Sequence, residues 1–205
     1  EPMKRLDLFH PRVFNEPVWA EGYYKRNRKS IARVGKRLAR LILSRGFTQG
    51  NLLDVGCGFA SVPIAIARAI PGMKITGIDL GDPLLDLGRK LVREEGLDQR
   101  ITLLKGDAHH LPFADKSYDV VINSFLLHIV EDPARTLNEM ERVVKTDGLI
   151  LITDLRRGFL AHFVRKFRTA YTLEEAEAVI HASGIRKGRI TSGLFWWDYL
   201  SDSLA

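Results

Sequence analysis

Asn51-Leu52-Leu53-Asp54-Val55-Gly56-Cys57-Gly58-Phe59-Ala60-Ser61 is a short apolar run ending in an acid, then a Gly-x-Gly turn, then a segment of helical character. That order predicts a strand, a tight turn where bare backbone can approach a ligand, and a helix whose N-terminus faces the same ligand. A second apolar run, Lys74-Ile75-Thr76-Gly77-Ile78-Asp79, ends in another acid 25 residues after Asp54. A carboxylate at the tip of the second strand is where nucleotide-type folds hold a ribose diol. Two strand-end acids around one glycine turn predict a nucleoside-bearing cofactor.

The turn also bears on which cofactor. Gly56 and Gly58 fit the dinucleotide fingerprint Gly-x-Gly-x-x-Gly, but Ser61 stands at its third glycine. Asp54 would repel a pyrophosphate and would suit a cationic ligand. S-adenosylmethionine (SAM) has no phosphate and carries an ammonium and a sulfonium. Here the chain resembles the class I SAM-dependent methyltransferases, whose first motif reads acid-x-Gly-x-Gly-x-Gly. Asp54, Gly56 and Gly58 match it, and Ala60 replaces the third glycine.

The resemblance continues downstream. Ile101 to Ala108 is similar to the family's third strand and adenine-binding turn. Leu111-Pro112-Phe113 and Ser117-Tyr118-Asp119-Val120-Val121 resemble its passage into strand four. Glu139-Met140-Glu141-Arg142-Val143-Val144-Lys145 resembles the turn before strand five, with Thr146 and Asp147 in place of Pro and Gly. The branch that it resembles most is the small-molecule type that includes the ubiquinone and menaquinone methyltransferases. The resemblance implies an α/β, Rossmann-like, seven-stranded methyltransferase fold: a mostly parallel sheet closed by an antiparallel C-terminal hairpin.

The pattern along the chain agrees. Ile31, Val34, Leu38, Leu41 and Ile42 recur at steps of three and four, so residues 20–45 read as an amphipathic helix ending at Gly46. Strands are expected at 51–55, 74–79, 100–104, 118–123 and 148–153, and helices at 60–69, 82–95, 132–145 and 172–183. Asp82-Pro83 and Asp132-Pro133 read as N-cap and first turn, and Thr172-Leu173-Glu174-Glu175 as a capping box. Two last strands are expected at about 185–191 and 194–200. Residues 1–19, with Pro2, Pro11 and Pro17, read as irregular. The expected organisation is one domain over 1–205, with an N-terminal helical cap segment at about 1–46 that closes over the cofactor.

Composition bounds the class. With 205 residues, 45% of them hydrophobic, the chain is long enough for one core. The longest apolar stretch, Val120 to Val130, is interrupted by Asn123, Ser124 and His128 and falls short of a transmembrane span. A single cysteine excludes an internal disulfide and a Cys-rich zinc site. With no charged-then-apolar opening segment, the expected setting is cytoplasmic. The net charge of +6 is lopsided: residues 1–50 hold 12 Lys/Arg against four Asp/Glu. Residues 156–168 add Arg156, Arg157, Arg165, Lys166 and Arg168 with no acid. Such patches suit anionic lipid, nucleic acid or an acidic substrate, or are simply a solvated face.

The candidate residues follow. Asp54 is expected to attract the ligand's ammonium, Gly56, Cys57 and Gly58 to pass close to its methionine part, and Asp79 to hold the ribose. Cys57 itself reads as a small filler, since no base accompanies it. The resemblance implies Asp107 as acceptor for the adenine amino group and the Ala108 amide as its partner for a ring nitrogen. Leu80, Gly106, Asn123 and Ser124 complete the expected cofactor contacts. His128, just past strand four, is the candidate base, and His109 and His110 read as loop residues, so no metal is expected. Tyr23, Tyr24, Arg28, Arg156 and Arg157 are expected on the substrate side. Asn123-Ser124-Phe125-Leu126 is not the Asn/Asp-Pro-Pro-aromatic motif of enzymes that methylate exocyclic amines, and no RNA-binding module is present. The expected activity is methyl transfer from SAM to a small molecule, an anionic one being favoured. An RNA methyltransferase, an NAD-dependent oxidoreductase and a non-catalytic SAM-binding protein are the alternatives.

Overall fold

The computed structural model describes residues 15–202, apart from the side chains of Leu160, Arg165 and Lys166. Among the described residues, the first full helix, α1, runs from Pro17 to Ser44. It starts earlier than the proline content of this region predicts, because Pro17 occupies the first turn, where its missing N–H costs nothing. The rest of the expected irregular start, including Pro2 and Pro11, lies outside the described residues. Gly46, at φ +84°, lies just past the helix end.

The chain then alternates. In order come β1 (Gln49–Val55), α2 (Ser61–Ala69), β2 (Gly72–Asp79), α3 (Asp82–Glu94), β3 (Ile101–Lys105) and β4 (Tyr118–Ser124). They are followed by α4 (Pro133–Val143), β5 (Val144–Leu155), α5 (Leu173–Ala182), β6 (Gly188–Ser192) and β7 (Trp196–Ser201). Two 3-10 turns, Phe159–His162 and Arg165–Arg168, join β5 to α5. The strands form one sheet in the order β3-β2-β1-β4-β5-β7-β6. β1 to β5 are parallel, and β7 enters antiparallel between β5 and β6. The strand order reverses between β1 and β4, and a ligand crevice opens at the carboxyl ends of strands at such a switch point.

Strand alternation splits the core across the sheet. Leu52, Ile75, Val120, Ile122, Leu149 and Leu151 pack under α1, α2 and α3 with Leu38, Ile42, Ile66 and Leu85. Their strand neighbours Leu53, Val55, Val121, Ile150 and Ile152 face α4 and α5, with Leu137, Met140 and Ile180. Trp197 and Tyr199 of β7 fill the same side.

Two boundaries shift for identifiable reasons. Gly81, not Asp82, is the N-cap of α3. Asp82 sits in the first turn with its carboxylate paired to Lys105. β5 begins at Val144, directly after α4, because Val144 already pairs with Tyr118 of β4. Asp132 caps α4 by accepting from the Arg135 amide, and Thr172 with Glu175 forms the expected capping box on α5. No helix among the described residues is long and apolar enough to cross a membrane.

Candidate active site at the carboxyl ends of the strands

The glycine turn is pinned to the neighbouring strand. The amides of Gly56 and Cys57 both donate to the Ile78 carbonyl, at 2.8 and 3.1 Å. Gly56 has φ +81°, and a Cβ there would lie 2.9 Å from the Leu126 side chain. Gly58 has φ +51° and nothing within 4 Å of a built Cβ, so it borders open space. Ala60 takes φ 60°, the left-handed conformation that suits the glycine it replaces in the motif. Cys57 is a packed filler: its buried Sγ lies where a side chain at Gly77 would collide at 2.7 Å, and burial pushes its thiol well above the usual range.

Asp79 is bound on both oxygens by backbone. Gly58 N–H donates to Oδ2 at 2.8 Å and Gly81 N–H to Oδ1 at 2.9 Å. Burial raises its pKa, and these amides act against that shift. The carboxylate still lines two cavities, one of about 200 Å³ and one of about 320 Å³.

Asp54 and its neighbours carry unmet polarity. Asp54 Oδ1, Asn123 Oδ1 and Ser124 Oγ are buried with no hydrogen-bond partner among the described residues. Asn123 spends its amide on the Val55 carbonyl at 2.9 Å, which aims the unpaired oxygen elsewhere. Burial first, and the charge of Asp79 second, push Asp54 up to about 8. Buried polar atoms in a folded protein are nearly always satisfied, so three orphans beside a glycine turn point to a polar ligand. Asp54, Gly56, Gly58 and Ser124 enclose a small cavity of about 40 Å³, with Tyr23 over it.

The 200 Å³ cavity is lined by Ile78, Asp79, Leu80, Gly106, Asp107 and Ala108, and faced by Leu126, Ile129 and Val130. Its flat apolar wall and edge acid suit a purine. A Cβ at Gly106 would meet the tip of the Ile78 side chain at 2.5 Å, so a larger residue there would displace that side chain. Asp107 Oδ1 accepts from the His109 amide at 2.9 Å and meets its ring Nδ1 at 2.7 Å. Burial acts to raise Asp107, but His109 outweighs it and holds the carboxyl below its ordinary value.

The 320 Å³ cavity shares Gly56 and Asp79 with the 200 Å³ one, so the two adjoin at the turn. Its walls include Tyr23, Ile31, Leu84, Phe125, Leu126 and Leu155, with His128 among them. Phe125 has φ 60°, strain that a bulky residue bears only where surroundings enforce it. His128 is buried and pairs through Nδ1 with Asp154 Oδ1 at 2.5 Å. Asp154, fully buried at the end of β5, is a residue that sequence reasoning missed. The available signal was the one used for Asp54 and Asp79, an apolar strand ending in an acid.

The substrate-side candidates separate. Tyr23 enters the cavity, and its hydroxyl is pushed up to about 12 by burial and by the charges of Asp79 and Asp154. Tyr24 instead packs edge-on against Phe59 at 5.2 Å and carries Arg28 over its ring at 5.8 Å. Both line a different groove of about 550 Å³ between α1, α2 and α3, which none of the strand-end acids reaches. Arg157 is buried, donates to the Ala170 carbonyl at 3.1 Å and pairs with Glu175. Arg156 donates to the Gly193 carbonyl at 3.1 Å. Arg157 therefore braces the β5–α5 connection, Arg156 reaches the turn between β6 and β7, and neither lines these cavities. His109 and His110 are loop residues, bound to Asp107 and Arg135 respectively.

A sequence model of the methyltransferase domain family matches residues 53–152. Among curated relatives, a demethylmenaquinone methyltransferase of Bacillus velezensis is 45% identical over 122 residues, 59% of this chain and 50% of that protein. The chain spans about half the length of the curated relatives it matches. Among solved structures, a candidate S-adenosyl-L-methionine-dependent methyltransferase from Methanococcus maripaludis superimposes with a TM-score of 0.76 at 22% identity, covering 91% of this chain and 93% of that one. The [4+2]-cyclase SpnF superimposes with a TM-score of 0.64 at 26% identity, over 77% of this chain and 59% of its own.

Proposed function

We infer from the class I methyltransferase domain formed by residues 53–152 that the protein binds SAM and transfers its methyl group to a small, largely apolar acceptor. The observation that carries this reading is the trio of unpartnered buried atoms, Asp54 Oδ1, Asn123 Oδ1 and Ser124 Oγ, beside the glycine turn. A carboxylate with two neutral acceptors suits an ammonium and is hostile to a phosphate. When bound, the cofactor supplies a methyl group made electrophilic by its sulfonium.

The chain's own residues bind and orient. Asp54 faces the ammonium. Asp79, with carboxylate lone pairs beyond the two that its backbone partners take, accepts from the ribose hydroxyls. Asp107 and the Ala108 amide hold the adenine edge, between Leu80 and Gly106. The acceptor occupies the 320 Å³ cavity, where Tyr23 and His128 stand among polar groups that also include Asn27, Ser30 and Thr169, beside a wall of aliphatic and aromatic side chains. Holding the two reactants in line supplies most of the rate enhancement. A quinol-type acceptor is supported by that wall and by the names of the relatives. A cytoplasmic setting fits a single, buried, unpaired cysteine.

Calorimetry tests the cofactor: SAM and S-adenosylhomocysteine should bind in the micromolar range, about −7 to −8 kcal/mol, and NAD should not. NAD binding without SAM binding would end this reading. SpnF makes methyl transfer a separate question from fold. Transfer of labelled methyl from SAM to a naphthohydroquinone tests it directly.

A further inference from the structure

We propose that Asp154 is a positioning residue that holds the His128 ring so that its second nitrogen takes a proton from a hydroxyl group of the acceptor. The proposal rests on the methyl-transfer reading and narrows its acceptor to molecules with an ionisable hydroxyl.

Asp154 is the penultimate residue of β5 and His128 follows β4, so the two meet near neighbouring strand ends. One carboxylate grips both parts of one residue. Asp154 Oδ2 accepts from the His128 backbone amide at 3.0 Å, and Oδ1 meets the ring Nδ1 at 2.5 Å. The Leu155 amide also donates to Oδ1, at 2.7 Å, which fixes the carboxylate in turn. An ionised carboxylate only accepts, so Nδ1 carries the hydrogen and Nε2 is the basic nitrogen. When Nε2 takes a proton, the ring becomes cationic beside a buried anion that does not have to reorganise.

The cavity shows why a base is needed. Ile31, Leu84, Phe125, Leu126, Ile129 and Leu155 make one part of its wall apolar, while Asn27, Ser30, Ser124 and Thr169 add neutral polar groups but no cation. A phenol-like hydroxyl ionises near 10 in water, and apolar burial disfavours the anion further. A neutral amine needs no such help before it attacks a sulfonium, so a held base distinguishes hydroxyl from amine acceptors. Among the described residues, Asp154 on β5 pairs with the His128 ring, and Tyr23 on α1 and Asp79 on β2 line the same cavity. Tyr23 stays protonated well above neutral pH, so it donates and does not compete as base.

In the step, the acceptor O–H bond breaks and its proton goes to Nε2. The oxyanion, or a ring carbon conjugated to it, bonds to the methyl carbon while the C–S bond breaks and its electron pair stays on sulfur. The imidazolium returns its proton to water. Attack through carbon also releases that carbon's hydrogen as a proton.

The test uses 4-nitrocatechol, whose absorbance reports its ionisation, bound to the protein loaded with S-adenosylhomocysteine. Wild-type protein should show the phenolate band about one pH unit or more below the free probe. His128→Gln should return the band to the free-probe position. Asp154→Asn, which keeps an oxygen for the backbone amide, should move it up by about tenfold in proton concentration, with cofactor affinity changed less than about twofold. Nitrogen NMR of the unsubstituted protein should find Nδ1 of His128 protonated. No phenolate shift in wild type, an Nε2-protonated ring, or an Asp154→Asn complex that titrates like wild type would each overturn the proposal. Failure of S-adenosylhomocysteine to bind would instead strike the cofactor reading, and the NMR result stands apart from it.

Discussion

At the scale of single residues, the role proposed for Asp54 would connect the fold to ligand binding through a proton. Its pKa is raised to about 8 in the folded protein, against an ordinary carboxylate value when unfolded. The sign follows: the stability it contributes is fully present below the unfolded value and is lost as pH rises through about 8. The ligand-free protein should therefore melt at lower temperature as pH rises from 6 to 9, and Asp54→Asn should flatten that trend. An ammonium placed beside Asp54 favours its ionised form. SAM binding at pH 7 should then release about one proton, read as a binding heat that varies with the buffer's ionisation enthalpy. A buffer-independent heat would mean that Asp54 does not meet the ammonium. The residues legible in sequence were those whose role is local: Asp54, the two turn glycines and Asp79 announce themselves at strand ends. Arg157 was not legible, because its partners lie 13 and 18 residues away and decide where its side chain goes. Asp154 carried a local signal but gained meaning only from His128, 26 residues distant.

At the scale of elements, α1 is the piece that roofs the site, and two contacts hold it there. Arg37 donates to Asp198 Oδ1 at 2.8 Å and to Thr153 Oγ1 at 2.9 Å, tying the helix to β7 and β5. Gly35 lets it cross α2 closely: a Cβ there would lie 2.7 Å from the Ala65 Cβ and 3.1 Å from the Val62 backbone. Backbone cannot yield as a side-chain tip does, so Gly35→Leu should push the helices apart. The expected loss is about 1–3 kcal/mol, lowering the melting temperature by roughly 2–12 °C. Because Tyr23 and Ile31 of the same helix line the 320 Å³ cavity proposed for the acceptor, SAM or acceptor affinity should fall as well. A variant that melts like wild type would show that α1 docks elsewhere in solution. Helix stripes, caps and strand runs locate these elements from local rules alone. The family resemblance supplied an antiparallel closing hairpin, but the insertion of β7 between β5 and β6 does not follow from periodicity, because strand order is a long-range property. The Arg37 clamp spans 161 residues to Asp198 and was equally out of reach.

At the scale of the molecule, the basic charge is concentrated on one crest. Arg26, Lys29, Arg33, Lys36 and Arg40 are all exposed and recur at steps of three and four along α1. Among the described residues, the ion pairs of this helix are Lys25–Glu21 and Arg37–Asp198, and neither involves the crest. Like charges at these spacings each cost a helix a few tenths of a kcal/mol. Arg33→Glu would place an acid within one turn of Lys29, Lys36 and Arg37. If the crest is only solvated, it should stabilise the helix by about 0.5–1 kcal/mol and raise the melting temperature by roughly 1–4 °C. SAM affinity should not change, since Arg33 lines none of the cavities around the glycine turn. Elution from an anionic resin should move to lower salt, because the attraction of the crest is electrostatic and screened. A methyltransferase that reads RNA through this helix would instead lose methyl transfer to RNA in parallel with the earlier elution. An acceptor held in the 320 Å³ cavity is indifferent to the crest, so its kinetics should stay at wild-type values while the elution shifts. Which of the two rates follows the charge decides whether the basic surface belongs to the reaction or only to the solvent-facing side of the roof.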